Sequence, residues 1–320
     1  MKRFNKVLIL LLCMVLCFGG CARDAEKERL SVWLIAKSTE SEFWKAAFAG
    51  ANAAKAEYNV ELTIRGPETE EDFLAQNHYI EEAVEQGADA IVFSAISYSE
   101  NAQTVDYAAS KGVKIVVIDS DVDSQAVSVR VGSDNVEAGR MAAQAVLDAP
   151  APRLRVGIIN YSVVSRNGEQ REKGLREVLE KDPRVEEIIT INVLTSSEVT
   201  RAQTELLMQK YPDLNVLVAL NEPLAVGAAQ AVDTANLKDQ IYLVGFDTHV
   251  RCVDYLQTGE VSALVVQNPY AMGYLGVEAA YRVLQGKTYS SDALLNTSTT
   301  IVTKQTMFTP ESQKVLFPFG

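Results

Sequence analysis

The residues best suited to chemistry in this chain stand where short apolar runs give out, and their chemistry is the gripping of hydroxyl groups. Lys37 follows VWLIA, Asp119 follows KIVVI, Asn221 follows VLVAL, Asp247 follows LVGF and Gln267 follows ALVV. An ionised carboxylate can accept two hydroxyl hydrogen bonds, each charge-assisted and worth about 1.5–3 kcal/mol. Arg171, in SRNGEQREKGL, adds a planar fork of donors. Phe43 and Trp44, after Lys37-Ser38-Thr39-Glu40-Ser41-Glu42, offer aromatic faces to the apolar side of a ring. Neighbours about 100° apart on a helix cannot both face one core equally. Asp121, by contrast, reads as a solvated turn or a cap.

Parallel strands would position these groups, because in open α/β sheets ligands sit beyond the carboxyl ends of the strands. Apolar runs predict strands at Ser31–Ala36, Glu61–Arg65, Ala90–Ser94 and Lys114–Ile118, with helices at Glu42–Tyr58, Asp72–Gln86 and Asn101–Ser110 between them. Thr39 or Ser41 can cap the first helix, and Gly87 and Gly112 follow the other two. After Gly132 the series repeats, with strands at Arg155–Asn160, Glu187–Val193, Val216–Leu220 and Ile241–Gly245, and helices at Asn135–Leu147, Glu169–Glu180, Ser197–Lys210 and Leu224–Thr234. Helices at Val250–Gln257 and Pro269–Leu284 and strands at Ser262–Gln267 and Thr299–Thr303 follow. These late elements need sheet partners, which the chain reaches most simply by returning across the boundary between two domains.

Before all this stands MKRFNKVLILLLCMVLCFGGC: three cations, an apolar run from Val7 to Phe18, two glycines and Cys21. The run falls short of the ~20 residues that span a bilayer and has the layout of a secretory signal. Phe18-Gly-Gly-Cys21 resembles the bacterial lipobox, with phenylalanine where leucine is usual. A lipid on Cys21 would anchor the chain at the outer face of the cell membrane, and residues 22–29 would serve as tether. Removing residues 1–20 takes the formal charge from −12 to −15. Such an acidic chain lacks the basic patches that nucleic acid or anionic membranes require. Cys252 is then the one cysteine left beside the lipidated one, so no internal disulfide forms, and nothing has metal-ligand spacing. No metal and no cofactor is called for.

Alternating strands and helices also build dehydrogenases, but glycine-poor AKSTESEF stands where a GxGxxG would follow the first strand. There is no P-loop, no GxSxG and no histidine-centred triad; His78 reads as a surface residue and His249 as a loop or cleft-rim residue. The reading is a binding protein, not an enzyme.

The stretches VWLIAKSTESEFWKAAFAGA, GADAIVFSAIS, KGVKIVVIDSD, VGSDNVEAGRMAA, VLVALNEPLAVGAAQA, YLVGFDT and SALVVQNPYAMGYLGV resemble, in order, the type I periplasmic binding proteins, in particular the ribose-binding-like sugar receptors. The resemblance implies two doubly wound parallel-sheet lobes joined by three crossover strands, near Val131–Ser133, Gln267–Pro269 and Asn296–Thr299. It implies a first lobe of residues 30–132 plus 269–297 and a second of 133–268 plus 298–320. Phe43 and Trp44 match the family's paired aromatics, which sandwich a sugar ring; Asp119, Arg171, Asn221, Asp247 and Gln267 match its hydroxyl-binding residues. Lys37, Glu40, Ser41 and Ser120 depart from the ribose-binding pattern and make an acidic, phosphorylated or modified sugar worth testing. Lys37, Asp119 and the stretches GPETE and SAIS also resemble the furanone autoinducer receptors of the superfamily, although their paired Asp-Gln lacks a clear counterpart in RNGEQREKGL. The implied protein is a monomer that closes by hinge bending on a sugar and presents it to an ABC permease or, alternatively, to a membrane sensor of a two-component or chemotaxis system.

Overall fold

A computed structural model describes residues 29–161 and 164–317; the signal and the expected lipidation site Cys21 lie outside the described residues. Two six-stranded sheets form the frame. The first runs β2 (Glu61–Arg65), β1 (Ser31–Ile35), β3 (Ala90–Phe93), β4 (Lys114–Ile118), β5 (Val127–Gly132) and β11 (Leu294–Asn296), all parallel. The second runs β7 (Val185–Asn192), β6 (Leu154–Asn160), β8 (Val216–Ala219), β9 (Tyr242–Phe246), β10 (Ala263–Val266) and β12 (Thr300–Thr303). Only β12 is antiparallel to its neighbour. The inner strands β1, β3, β4, β8, β9 and β10 are buried almost throughout, as a sheet covered on both faces requires.

Helices α1 (Glu42–Tyr58), α2 (Phe73–Glu85) and α3 (Ala102–Ser110) connect the strands of the first sheet. Helix α4 (Asn135–Leu147) leads from β5 to β6, and α5 (Arg166–Leu179), α6 (Ser197–Lys210), α7 (Glu222–Thr234) and α8 (Val250–Thr258) connect the strands of the second. The chain passes between the sheets three times: after β5, after β10 and between β11 and β12. After β10 it sends α9 (Pro269–Leu284) back to pack on α1. Sequence periodicity identifies most elements to within a residue or two, but β5, β11 and the C-terminal helix α10 (Pro310–Leu316) emerge only in the structure. Helix α5 begins at Arg166 rather than at Glu169, so Arg171 sits past its first turn.

Caps fix where the site helices start. Ser41 accepts the Trp44 amide, Asp134 that of Glu137, and Asn221 that of Leu224, each satisfying a donor the helix cannot. Among the described residues no helix is long and apolar enough to cross a membrane.

Candidate functional site: a closed cleft between the lobes

The carboxyl ends of both sheets face one cleft, and Lys37, Phe43, Trp44, Asp119, Arg171, Asn221, Asp247 and Gln267 all line it. All but Asp119 are at most 9% exposed, and the Asp119 side chain is itself only 5% exposed. The opposing groups already bond one another, leaving a cavity of only ≈ 20 Å³, room for a water molecule rather than a sugar ring.

Arg171 is the hub. Its Nε donates to Asn135 Oδ1 at 2.9 Å, Nη1 to the Leu220 carbonyl at 2.7 Å and Nη2 to Gln267 Oε1 at 2.9 Å, while the guanidinium lies 4.7 Å from the Phe246 ring centroid. Gln267 passes the order on, donating from Nε2 to Asp247 Oδ1 at 2.9 Å. Helix α4 approaches so closely at Gly139 that a Cβ there would stand 2.1 Å from the Arg171 carbonyl oxygen. The arginine is thus held from both its backbone and its head.

Asp119 and Asp247 occupy matching places after the fourth strand of each sheet. Both adopt positive φ, 56° and 67°, a conformation that costs a non-glycine residue roughly 1–2 kcal/mol. Each amide bonds a carbonyl of the next strand at 3.0 Å, Val131 for Asp119 and Val265 for Asp247, which holds the turn and aims the carboxylate into the cleft. Ser94 Oγ donates to Asp119 at 3.2 Å, and Asn167 Nδ2 reaches both its oxygens across the cleft, also at 3.2 Å. Burial raises the pKa of both acids, against the pull of Lys37 and Arg171 on Asp119 and of Arg171 on Asp247; Asp247 is pushed up to about 6.

At the other wall Lys37 Nζ lies 2.9 Å from Glu70 Oε2 and 5.0 Å from the Tyr161 ring centroid. Burial, the largest single influence on Lys37, lowers its pKa, but Glu70, Tyr161 and Asp119 together outweigh it and leave it above the ordinary value. Trp44 Nε1 donates to Glu70 Oε1 at 3.0 Å. Phe43 and Trp44 meet edge to face, centroids 5.2 Å apart and planes at 81°, so together they make one wall of the cleft.

Four contributors escaped sequence reasoning: Glu70, Tyr161, Asn167 and Glu222. Tyr161 follows β6 as closely as Lys37 follows β1, a signal available but unused. Glu222 had no local signal, because its role crosses the cleft. Its carboxylate accepts the Glu42 amide at 3.2 Å and the Phe43 amide at 2.9 Å, capping α1 of the opposite lobe at its positive end. Burial and then Asp247 push its pKa up to about 8, against these two donors. Glu71 Oε1 likewise accepts the Thr195 amide at 2.8 Å, and the Tyr98 amide donates to the Val164 carbonyl at 2.9 Å. His78 is exposed, and His249 caps α8, accepting the Arg251 amide on Nδ1 at 3.1 Å. Among the described residues no group of three His, Cys, Asp or Glu is arranged to hold a metal ion.

Two parallel-sheet lobes with polar strand ends meeting in a cleft define a two-lobed binding protein. The chain belongs to the family described as the periplasmic binding protein domain, whose model matches residues 32–288. It is 27% identical over 293 residues to the D-ribose/D-allose-binding protein of Pseudomonas aeruginosa, covering 88% of this chain and 91% of that one. The carbohydrate transporter solute binding protein of Agrobacterium radiobacter, solved with D-arabinose, superposes with a TM-score of 0.86 at 28% identity, covering 91% of this chain and 99% of that one. A sugar transporter structure from Clostridium phytofermentans gives 0.77 at 31%, covering 86% and 100%. These relatives are solute-binding proteins for transport, and this chain is a binding protein rather than an enzyme.

Proposed function

We propose that this chain captures a small sugar or related polyol outside the cytoplasmic membrane and delivers it to an ABC transporter, held at the membrane by a lipid on Cys21. The observation that carries the reading is the convergence of an acid from each lobe, Asp119 and Asp247, with Arg171, Asn221 and Gln267 in one buried cleft. Description of the solved relatives as transporter components favours import over signalling.

In this mechanism the lobes, residues 30–132 plus 269–297 and 133–268 plus 298–320, swing about the three crossings. Opening breaks the Asn167–Asp119 and Glu222–α1 bonds; ligand hydroxyls then replace the bonds lost at the acids. Asn221 spends its side-chain oxygen on the α7 cap and offers its amide N–H groups to the guest. Phe43 and Trp44 cover the apolar side of the ring. Closure is a population shift, set by the ligand's greater affinity for the closed form. The closed surface is what a permease would recognise, with a single copy sufficing.

The test is small-angle scattering with and without a sugar selected by thermal shift. The expected outcome is a smaller radius of gyration at saturation; an unchanged profile with a genuine ligand bound would remove the hinge. Recovery of Cys21→Ala protein from the membrane fraction would remove the anchor.

A further inference from the structure

Both cations of the cleft are set against acids. Lys37 is paired with Glu70 at 2.9 Å, and Arg171, held by three neutral acceptors at 2.7–2.9 Å, has Nη2 3.9 Å from Asp119 Oδ1. Against these two cations stand Glu70, Asp119 and Asp247, with Glu222 as a further acid lining the same cavity. A phosphate or carboxylate on the guest would enter a surround in which acids outnumber cations.

Beside the Lys37–Glu70 pair one group lacks what every buried polar group seeks. The Tyr161 side chain is 1% exposed and lines the cavity, yet its hydroxyl has no hydrogen-bond partner among the described residues. Gly168 stands against its ring, where a Cβ would come within 3.2 Å, and Lys37 lies 5.0 Å from its centroid, so the phenol is fixed in place without being satisfied. Burial pushes its pKa up to about 12, which keeps the proton on and leaves the oxygen able both to donate and to accept.

We propose that Tyr161 is a ligand-contacting, specificity-determining residue whose hydroxyl is completed by a hydroxyl of the guest, and that the cleft takes an uncharged polyol and rejects its acidic and phosphorylated counterparts. This rests on the reading of the cleft as a polyol site.

The experiment is calorimetric titration and thermal unfolding near pH 7 of the protein and its Tyr161→Phe variant, which deletes one oxygen and nothing else. The probes are D-ribose, D-allose and D-arabinose as neutral aldoses, with ribose 5-phosphate and gluconate as anions. A neutral aldose should bind and raise the unfolding midpoint, while the anions should bind at least a hundredfold more weakly. Tyr161→Phe should weaken the neutral aldose about tenfold, the worth of one hydrogen bond. Its unliganded midpoint should stay level or rise, because an unsatisfied buried oxygen has been removed; a merely structural tyrosine would lower the midpoint and leave affinity alone. Unchanged affinity in Tyr161→Phe, or tighter binding of ribose 5-phosphate than of any neutral aldose, overturns the inference while the polyol reading stands. Failure of wild-type protein to bind any of the five overturns both.

Discussion

The two lobes are the same scaffold put to different uses. Each has its second strand at one edge, then the first, third, fourth and fifth, then a sixth supplied from the end of the chain. Each places an aspartate at positive φ after the fourth strand. Each also packs one helix pair through glycines: a Cβ at Gly50 or Gly273 would stand 1.9 Å from a carbonyl oxygen between α1 and α9, and one at Gly174 the same distance between α4 and α5. They differ in the sixth strand, parallel in the first lobe and antiparallel in the second, because the chain runs directly from β11 into β12. They differ more in chemistry. The first lobe's wall is a neutralised pair against aromatics, Lys37–Glu70 beside Phe43 and Trp44; the second is a connected network around Arg171. The lesson is that the fold fixes where side chains emerge, and the residues placed there decide which lobe grips and which receives.

The sharpest way to break this contrast is to remove the hub. Arg171→Ala should destabilise the protein by about 3–5 kcal/mol, as expected when one partner of a buried charged network is deleted, and should abolish sugar binding. Lys37→Met, which strands only Glu70, should cost less; chemical denaturation of both compares the walls. A result in the opposite order would mean that the first lobe holds the network.

Next in size is a difference in pH response. Asp247 rises from an ordinary 3.8 to about 6 in the fold, so its stabilising contribution is present below pH ~4 and lost as pH climbs through 6. At ~1.36 kcal/mol per unit that is about 3 kcal/mol. Asp247→Asn should flatten the stability profile between pH 4 and 6, as followed by thermal unfolding. Asp119 shifts in the same direction, and Asp119→Asn should flatten its own part of the acid range; if only one substitution acts, the correspondence between the two acids fails.

A smaller effect separates packing from chemistry. Gly139→Ala and Gly50→Ala both drive a Cβ into a helix carbonyl and should each cost about 1–3 kcal/mol by overpacking. Gly139→Ala should also weaken sugar binding, because the carbonyl it strikes belongs to Arg171, whereas Gly50→Ala strikes Tyr270 and should leave affinity closer to normal. Smallest is Glu222→Gln, which above pH 8 removes a charge from the start of α1 and there should reduce closure by about 1 kcal/mol, read as a larger radius of gyration without ligand.

Much of this was legible in the sequence because its causes are local. Continuous apolar runs and amphipathic stretches gave most strands and helices, and Ser41 marked where the first site helix begins. Strand-end position sufficed to find Asp119, Asn221, Asp247 and Gln267, since parallel strands of one sheet deliver their carboxyl ends to one side. Strand β5 alternates, with Ser128 and Arg130 set between valines, so it lacks the continuous apolar run of its neighbours, and the three-residue β11 is too short to stand out.

What the sequence by itself determined is therefore the alternation of elements, the side of each sheet on which function would fall, and the residue types waiting there. Tertiary structure alone decided which of those residues were already spoken for. Lys37 meets Glu70, Glu222 caps a helix 179 residues away, and the Tyr161 hydroxyl is left without a hydrogen-bond partner among the described residues. The physical reason is that periodicity is a property of neighbours in the chain, whereas the pairing of buried polar groups depends on which segments the folded lobes bring within 3 Å of one another.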